Sequence, residues 1–454
     1  MSSAEATSPA SEAPAHRSPF FYGWWLVVGG FSAMALNGAL LFHAFGSYVV
    51  LLKDDFGWSG TAFAVAFALQ RVETGLLGPV DGWFVDRFGP RRMMIIGLTV
   101  HGLGFLMLSQ VNSLAMFYVA FLVIALGGAM GSFLPASVAV VNWFSRRRAT
   151  ALAVMMLGLA AGGLVQPLVV LGLEELGWRG MAFLSGVIVI LAGAPIGLLF
   201  RHHPEPYGWE VDGAAPQPRP APPASSASAP AEVTRLSAEV NFTARQALRT
   251  RAFWLIGVGH GLSLLVTGAV MVHFQAHVRD SLGYSLGTAA GMITLMTVMQ
   301  VLGQVAGGYF GDRLSKRLLI VVAMVLSSAG LIMLAAASAL WMVAAFAVLN
   351  GLGFGARIPL TTAIRADYFG GRNYGVISGF NSMVVTVGII AGPVIAGAAF
   401  DATGSYVRAF TGLAIVAGLG SLCFIFLRKP DPPDETEGTR HRVPQAVVAP
   451  SSGS

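Results

Sequence analysis

Ionisable side chains sit deep inside long apolar stretches of this chain, Arg71, Glu73, His260 and Arg357 foremost, with His43 and His101 beside them. Withdrawing such a group from water costs roughly 2.5–3.5 kcal/mol on membrane-insertion scales, so each needs a reason to be there. Arginine suits a carboxylate, because its planar fork donates two parallel hydrogen bonds and stays charged. Arg357 is the leading candidate for holding an anion; its alternatives are a gating ion pair or a backbone cap. Arg71 falls on the helical stripe Arg71, Gly75, Gly78, Gly82, so it is either a substrate contact or an anchor between helices. Glu73 cannot pair with Arg71, because residues two apart point to different sides of a helix. It shares a face with Gln70 and is either a proton carrier or a neutral, hydrogen-bonded structural group. His260 is the best placed of the lone histidines, for substrate or proton. Asn37, Asn350 and Asn381 either touch a solute or join helices. His273 and His277 share a face, yet no third ligand accompanies them, so no metal site is expected.

The elements that carry these residues follow from composition. The 454 residues are 55% hydrophobic and only 11% charged, against about 25% charged in a soluble domain. Apolar runs of eighteen or more residues recur, long enough to cross a hydrocarbon core of about 30 Å. They are continuous rather than alternating, which excludes a β-barrel. The single cysteine, Cys423, excludes intramolecular disulfides and a cysteine metal cage. The net charge of +6 is spread over short loops and does not point to nucleic acid. No nucleophile, base and orienting group cluster together, which argues against an enzyme, and no cofactor motif is present. Residues 1–19 are polar and carry no cleavable signal.

The reading is an all-α membrane protein with twelve transmembrane helices, at 20–49, 59–84, 93–110, 114–140, 149–173, 180–200, 252–275, 286–309, 318–337, 340–364, 375–399 and 405–427. The expected organisation is a disordered tail (1–19), a first six-helix bundle (20–200), a linker (201–250), a second six-helix bundle (251–428) and a disordered tail (429–454). The linker run EPYGWEVDGAAPQPRPAPPASSASAPAEV is too rich in Pro, Ala and Ser to build a core. TARQ, from Thr243, has the pattern of a capping box opening a short helix before segment seven. With both termini cytoplasmic, only Lys53, Arg179, Arg279 and Arg408 fall outside, and Arg71 and Arg357 within spans. Every other lysine and arginine lies inside, as the positive-inside rule requires.

Two stretches repeat. GWFVDRFGPRRM, from Gly82, and GYFGDRLSKRLL, from Gly308, each join the second and third segments of a half. A second echo keeps nearly the same register: GSFLP ends at Pro135 and GARIP at Pro359, each before an aromatic-basic turn. Two related halves around a central site are a transporter design. In this alignment Arg71 matches Thr297, Glu73 matches Met299 and Arg357 matches Phe133, so the fold itself requires none of the three charges. Gly82 and Gly308 permit close helix approach. Asp86 and Asp312 can face a neighbouring helix N-terminus, and the cations after them can attract phosphates.

These residues resemble the major facilitator superfamily over nearly the whole membrane portion. Its hallmark turn stands here as Gly82, Asp86, Arg87, Gly89, Arg91 and Arg92. The partial second copy is Gly308, Asp312, Arg313, Lys316 and Arg317, with Ser315 in place of a glycine. Within the superfamily the chain resembles the monocarboxylate porter and oxalate:formate antiporter branch, through YGWW (Tyr22 to Trp25), WFSRRRATALAVMMLGLAAGG and DYFGGRNYGVISG. It departs from that branch where Phe20 and Phe21 replace an acidic residue in segment one, and in a segment eight free of charge. The resemblance implies a central cavity lined by segments one, four, seven and ten, and a gate at the repeated turns in which Asp86 outweighs Asp312. It implies secondary active transport of a small organic anion, a monocarboxylate first, with protons, by alternating access in the inner (plasma) membrane. A functional monomer in the lipid bilayer is expected. Anion exchange, a neutral-solute or drug transporter and a transport-dead sensor are the alternatives.

Overall fold

The computed structural model describes residues 20–213 and 241–432, and within them the chain is helical throughout. The first bundle contains α1 (Gly23–Asn37), a π turn (Gly38–Phe42) and α2 (Phe45–Phe56), which together make the first span. It continues with α3 (Gly60–Phe88), α4 (Pro90–Ser109), α5 (Leu114–Gly131), α6 (Phe133–Trp143), α7 (Arg148–Leu164) and α8 (Gln166–Leu199). The short α9 (Ala244–Leu248) leads into the second bundle. That bundle is α10 (Arg251–Ala276), α11 (Leu286–Gly311), α12 (Lys316–Ala335), α13 (Leu340–Phe369), α14 (Tyr374–Thr403) and α15 (Tyr406–Ile425).

Ten helices among the described residues are long and apolar enough to cross a membrane. Two local features bring the spans to twelve. The 29 residues of α3 are long enough, but Arg71, Glu73, Asp81, Asp86 and Arg87 lower their hydropathy. The 34 residues of α8 hold the end of one span and the whole of the next, divided at Gly177, whose φ of 68° turns the chain within one residue. That bend is tighter than the six-residue connection expected between segments five and six. The fourth span is α5 plus α6, broken at Ser132, where φ and ψ leave the helical region.

Helix starts are set by side-chain caps that occupy otherwise unpaired backbone N–H groups. Ser59, Ser113, Ser285 and Ser405 accept from the backbone at the starts of α3, α5, α11 and α15, and Thr250 does so for α10. Thr243 and Gln246 form the capping box of α9. Part of the linker folds: residues 205–213 make two 3-10 turns. There Trp209 packs edge-on against Phe21, and the Asp212 carboxylate accepts from the N–H groups of Ser145 and Arg146 at 3.1 and 2.8 Å. The rest of the Pro/Ala/Ser run, and the two expected terminal tails except for 429–432, lie outside the described residues.

Candidate functional site

The two bundles meet at the end of the molecule that carries the repeated turns. Asp86, at the foot of α3, accepts from the N–H groups of Gly375 (2.9 Å) and Val376 (2.8 Å) at the start of α14. Asp312, at the foot of α11, accepts from Ala149 (2.8 Å) and Thr150 (2.9 Å) at the start of α7. Each carboxylate therefore caps the positive end of a helix in the opposite bundle. The contact needs small residues: a Cβ on Gly82 would overlap the carbonyl of Gly375, and one on Gly308 would press on Ala153 and Thr150. Gly78 meets Gly379 and Gly75 meets Thr386 further along the same seam.

Three more groups cross between the bundles here. Gln304 donates to the carbonyl of Ala153 at 2.9 Å, and Thr150 Oγ1 donates to that of Gly308 at 3.2 Å. Arg148, buried at the start of α7, donates to the Asp367 carboxylate at 2.6 Å, and Lys316 Nζ lies 2.8 Å from its other oxygen. The third arginine of the RRR run is thus a structural clasp rather than a marker of membrane side. Of the remaining turn residues, Arg87, Arg91 and Arg92 are exposed, and Arg313 lies over its own Tyr309 ring at 3.6 Å.

A second polar cluster lies inside the C-terminal bundle, among α10, α13 and α14. Arg357 is 1% exposed, and two of its guanidinium atoms, Nε and Nη1, are buried with no hydrogen-bond partner among the described residues. The Phe354 ring is 5.6 Å from its guanidinium carbon. On α10, the His260 Nδ1 is likewise buried without a partner among the described residues. Two turns along α13, Arg365 is fully engaged by the carbonyl of Thr361, Thr362 Oγ1 and Asn381 Oδ1. Asn381 packs over Gly257, one turn before His260, and Ser378 Oγ, one turn before Asn381, is a further buried orphan. A buried donor without a partner costs about 1–3 kcal/mol, and more when charged. An anion beside Arg357 would remove that cost.

The other candidates do not join this cluster. Asn350 donates to Met296 Sδ at 3.4 Å, bridging α13 to α11. Asn37 lies against Gly128 within the N-terminal bundle, directly before the π turn. Arg71 and Glu73 are half-buried on α3, ahead of Gly75. Glu73 Oε2 accepts from Thr74, while Oε1 is buried without a partner among the described residues. His273 binds Tyr406 and the Pro393 carbonyl, and His277 binds the Leu334 carbonyl. Arg365 and Ser378 were not singled out from sequence. The signal for Arg365 was its spacing from Arg357, two turns along one helix, which puts both on one face.

Paired bundles, repeated carboxylate caps between them and an unmet cation in the interior define a membrane transporter. A sequence model of the Major Facilitator Superfamily matches residues 26–274 and 256–451, and the chain belongs to that family. Its relatives include monocarboxylate transporter 13 of Rattus norvegicus, 26% identical over 88% of both chains. Human monocarboxylate transporter 11 is 27% identical, over 90% of this chain and 83% of that one. An MFS-type transporter of Gibberella moniliformis is 24% identical over 92% and 94%. The fold matches that of the Escherichia coli fucose:proton symporter with a TM-score of 0.66, at 15% identity over 90% of this chain and 98% of that one.

Proposed function

We propose that this transporter moves a small organic anion, a monocarboxylate first, by alternating access with proton symport. The observation that carries the reading is the Arg357 guanidinium, buried with Nε and Nη1 unpartnered among the described residues. In this reading Arg357 takes the carboxylate as a bidentate partner, His260 and Ser378 supply polar contacts, and Glu73 carries the proton. Arg71, Asn37 and Asn350, which lie outside that cluster, are proposed as further substrate contacts reached in the course of transport. The monocarboxylate transporters among the relatives support the substrate class. Both termini and the linker face the cytoplasm of a plasma-membrane protein that works as a monomer. The caps at Asp86 and Asp312 then close the cytoplasmic side, and the conformation described is outward-facing.

Anion exchange is the second reading. It is favoured by the absence of any carboxylate from the interior of α10–α15, where Asp280, Asp312, Asp367 and Asp401 stand only at or just beyond helix ends. There the substrate alone neutralises Arg357. Uptake into proteoliposomes of labelled mono- and dicarboxylates, with and without a pH gradient, separates the readings. Accumulation of a monocarboxylate that follows the gradient is expected. Uptake that needs internal anion and ignores the gradient would favour exchange, and accumulation of uncharged solutes alone would overturn both.

A further inference from the structure

A cavity of about 580 Å³ opens at the linker end, outside the seam between the bundles. It lies between the start of α4 and the strap that follows α8. Arg91, Arg92, Arg201, His202 and Tyr207 line it, with Ile95 at its floor, and its lining holds no carboxylate. Glu205, in the strap beside Tyr207, is exposed and outside the lining.

The walls are held in place. Trp143 Nε1 donates to the Arg201 carbonyl at 3.0 Å, and Asn142 donates to that of His202 at 3.2 Å. The Arg201 guanidinium carbon lies over two rings, 3.8 Å from the Tyr22 centroid and 4.2 Å from that of Tyr207. Stacking occupies the faces of the guanidinium and leaves its in-plane N–H edge for an acceptor. Burial, followed by the charge of His203, lowers the His202 pKa to about 4, so it enters the cavity as a neutral group at pH 7. The cavity's charge is thus that of three arginines, reinforced by the positive end of the twenty-residue α4.

The chain's own acids do not fill this site, and its position says what does. The two helices that frame it, α4 and α8, pack together where Gly197 meets Ile95. Away from the cavity they continue as exposed apolar residues: Ile96 and Leu103 on α4, Leu198 and Leu191 on α8. We propose that the cavity seats the phosphate of an anionic phospholipid, whose acyl chains run down this α4–α8 strip. A free phosphate would use the cations but leave the strip unoccupied. A zwitterionic lipid would cover the strip but bring a cation toward the arginines.

The test is lipid retention by the purified full-length chain, read by native mass spectrometry, with phosphatidylglycerol and phosphatidylcholine of identical chains. Phosphatidylglycerol is expected to bind in preference. Each surface arginine near an anionic headgroup is worth about fivefold in affinity, so R92Q should weaken binding by about fivefold and R91Q/R201Q by roughly thirtyfold. Equal retention of phosphatidylcholine by the parent, which needs no variant, would overturn the proposal. So would parental affinity for phosphatidylglycerol in well-folded R92Q. Displacement of the lipid by equimolar inorganic phosphate would make this a soluble-anion site instead and also overturn it.

Discussion

At the scale of single residues, the interior holds two kinds of charge. Arg365 is satisfied by three acceptors and behaves as structure. Arg357 and Glu73 each keep buried polar atoms without partners among the described residues, as their proposed roles toward substrate and proton ask. If Glu73 carries the proton, Glu73→Gln fixes it in the uncharged form. The variant should lose accumulation driven by a pH gradient yet keep exchange of labelled for unlabelled anion at a similar rate. Parental accumulation in this variant, measured in proteoliposomes, would remove Glu73 from the coupling. The sequence pointed to Arg357, Glu73 and His260 because an ionisable residue inside an apolar run is conspicuous. It did not point to Ser378 or Asp367, because a serine in a helix and an acid in a charged turn have many ordinary uses. The missing partner of Ser378, and the ion pairs of Asp367 with Arg148 and Lys316, exist only once the helices are packed.

At the scale of elements, the repeated turn is a helix-capping device used twice in opposite senses. The more complete motif around Asp86 suggested the heavier role. The geometry instead gives Asp312 the same pair of backbone bonds at matching distances. Hydrogen bonds to a charged group contribute about 1.5–3 kcal/mol. Asp86→Asn and Asp312→Asn should each destabilise the closed linker end by about 2 kcal/mol, a shift of roughly thirtyfold in the gating equilibrium. Labelling of a cysteine in place of the half-buried Val376, at the start of α14, in a Cys423→Ala background reads that opening. Equal accessibility in parent and both variants would contradict the role. Gly82→Leu should do the reverse of a tolerant surface change: its side chain would be driven into the Gly375 backbone, so the end cannot close. Span positions were legible from the apolar runs, but the bend at Gly177 and the break at Ser132 were not. Both are backbone decisions made within one residue. The folded strap at 205–213 was hidden by its Pro/Ala/Ser-rich continuation, although Tyr207, Trp209 and Asp212 supply the contacts that order it.

At the scale of the whole molecule, two similar bundles differ mainly in where they carry charge. The N-terminal bundle holds Arg71 and Glu73 on α3, and the C-terminal bundle holds Arg357 and Arg365 on α13. This asymmetry on a symmetric frame fits a carrier that binds its anion on one side and its proton on the other. In the orientation proposed from the positive-inside distribution, the linker lies in the cytoplasm. A single cysteine at position 225 in a Cys423→Ala background should therefore resist an impermeant thiol reagent applied to intact cells, and modification there would reverse the proposed sidedness. Equilibrium binding of the transported anion to purified Arg357 variants tests most directly the proposal that the Arg357 guanidinium holds it. Arg357→Gln should abolish binding while thermal unfolding shows an intact fold. Arg357→Lys should weaken it by about tenfold or more, because an ammonium keeps the charge but not the two-pronged bond. Parental affinity in well-folded Arg357→Gln would contradict the claim.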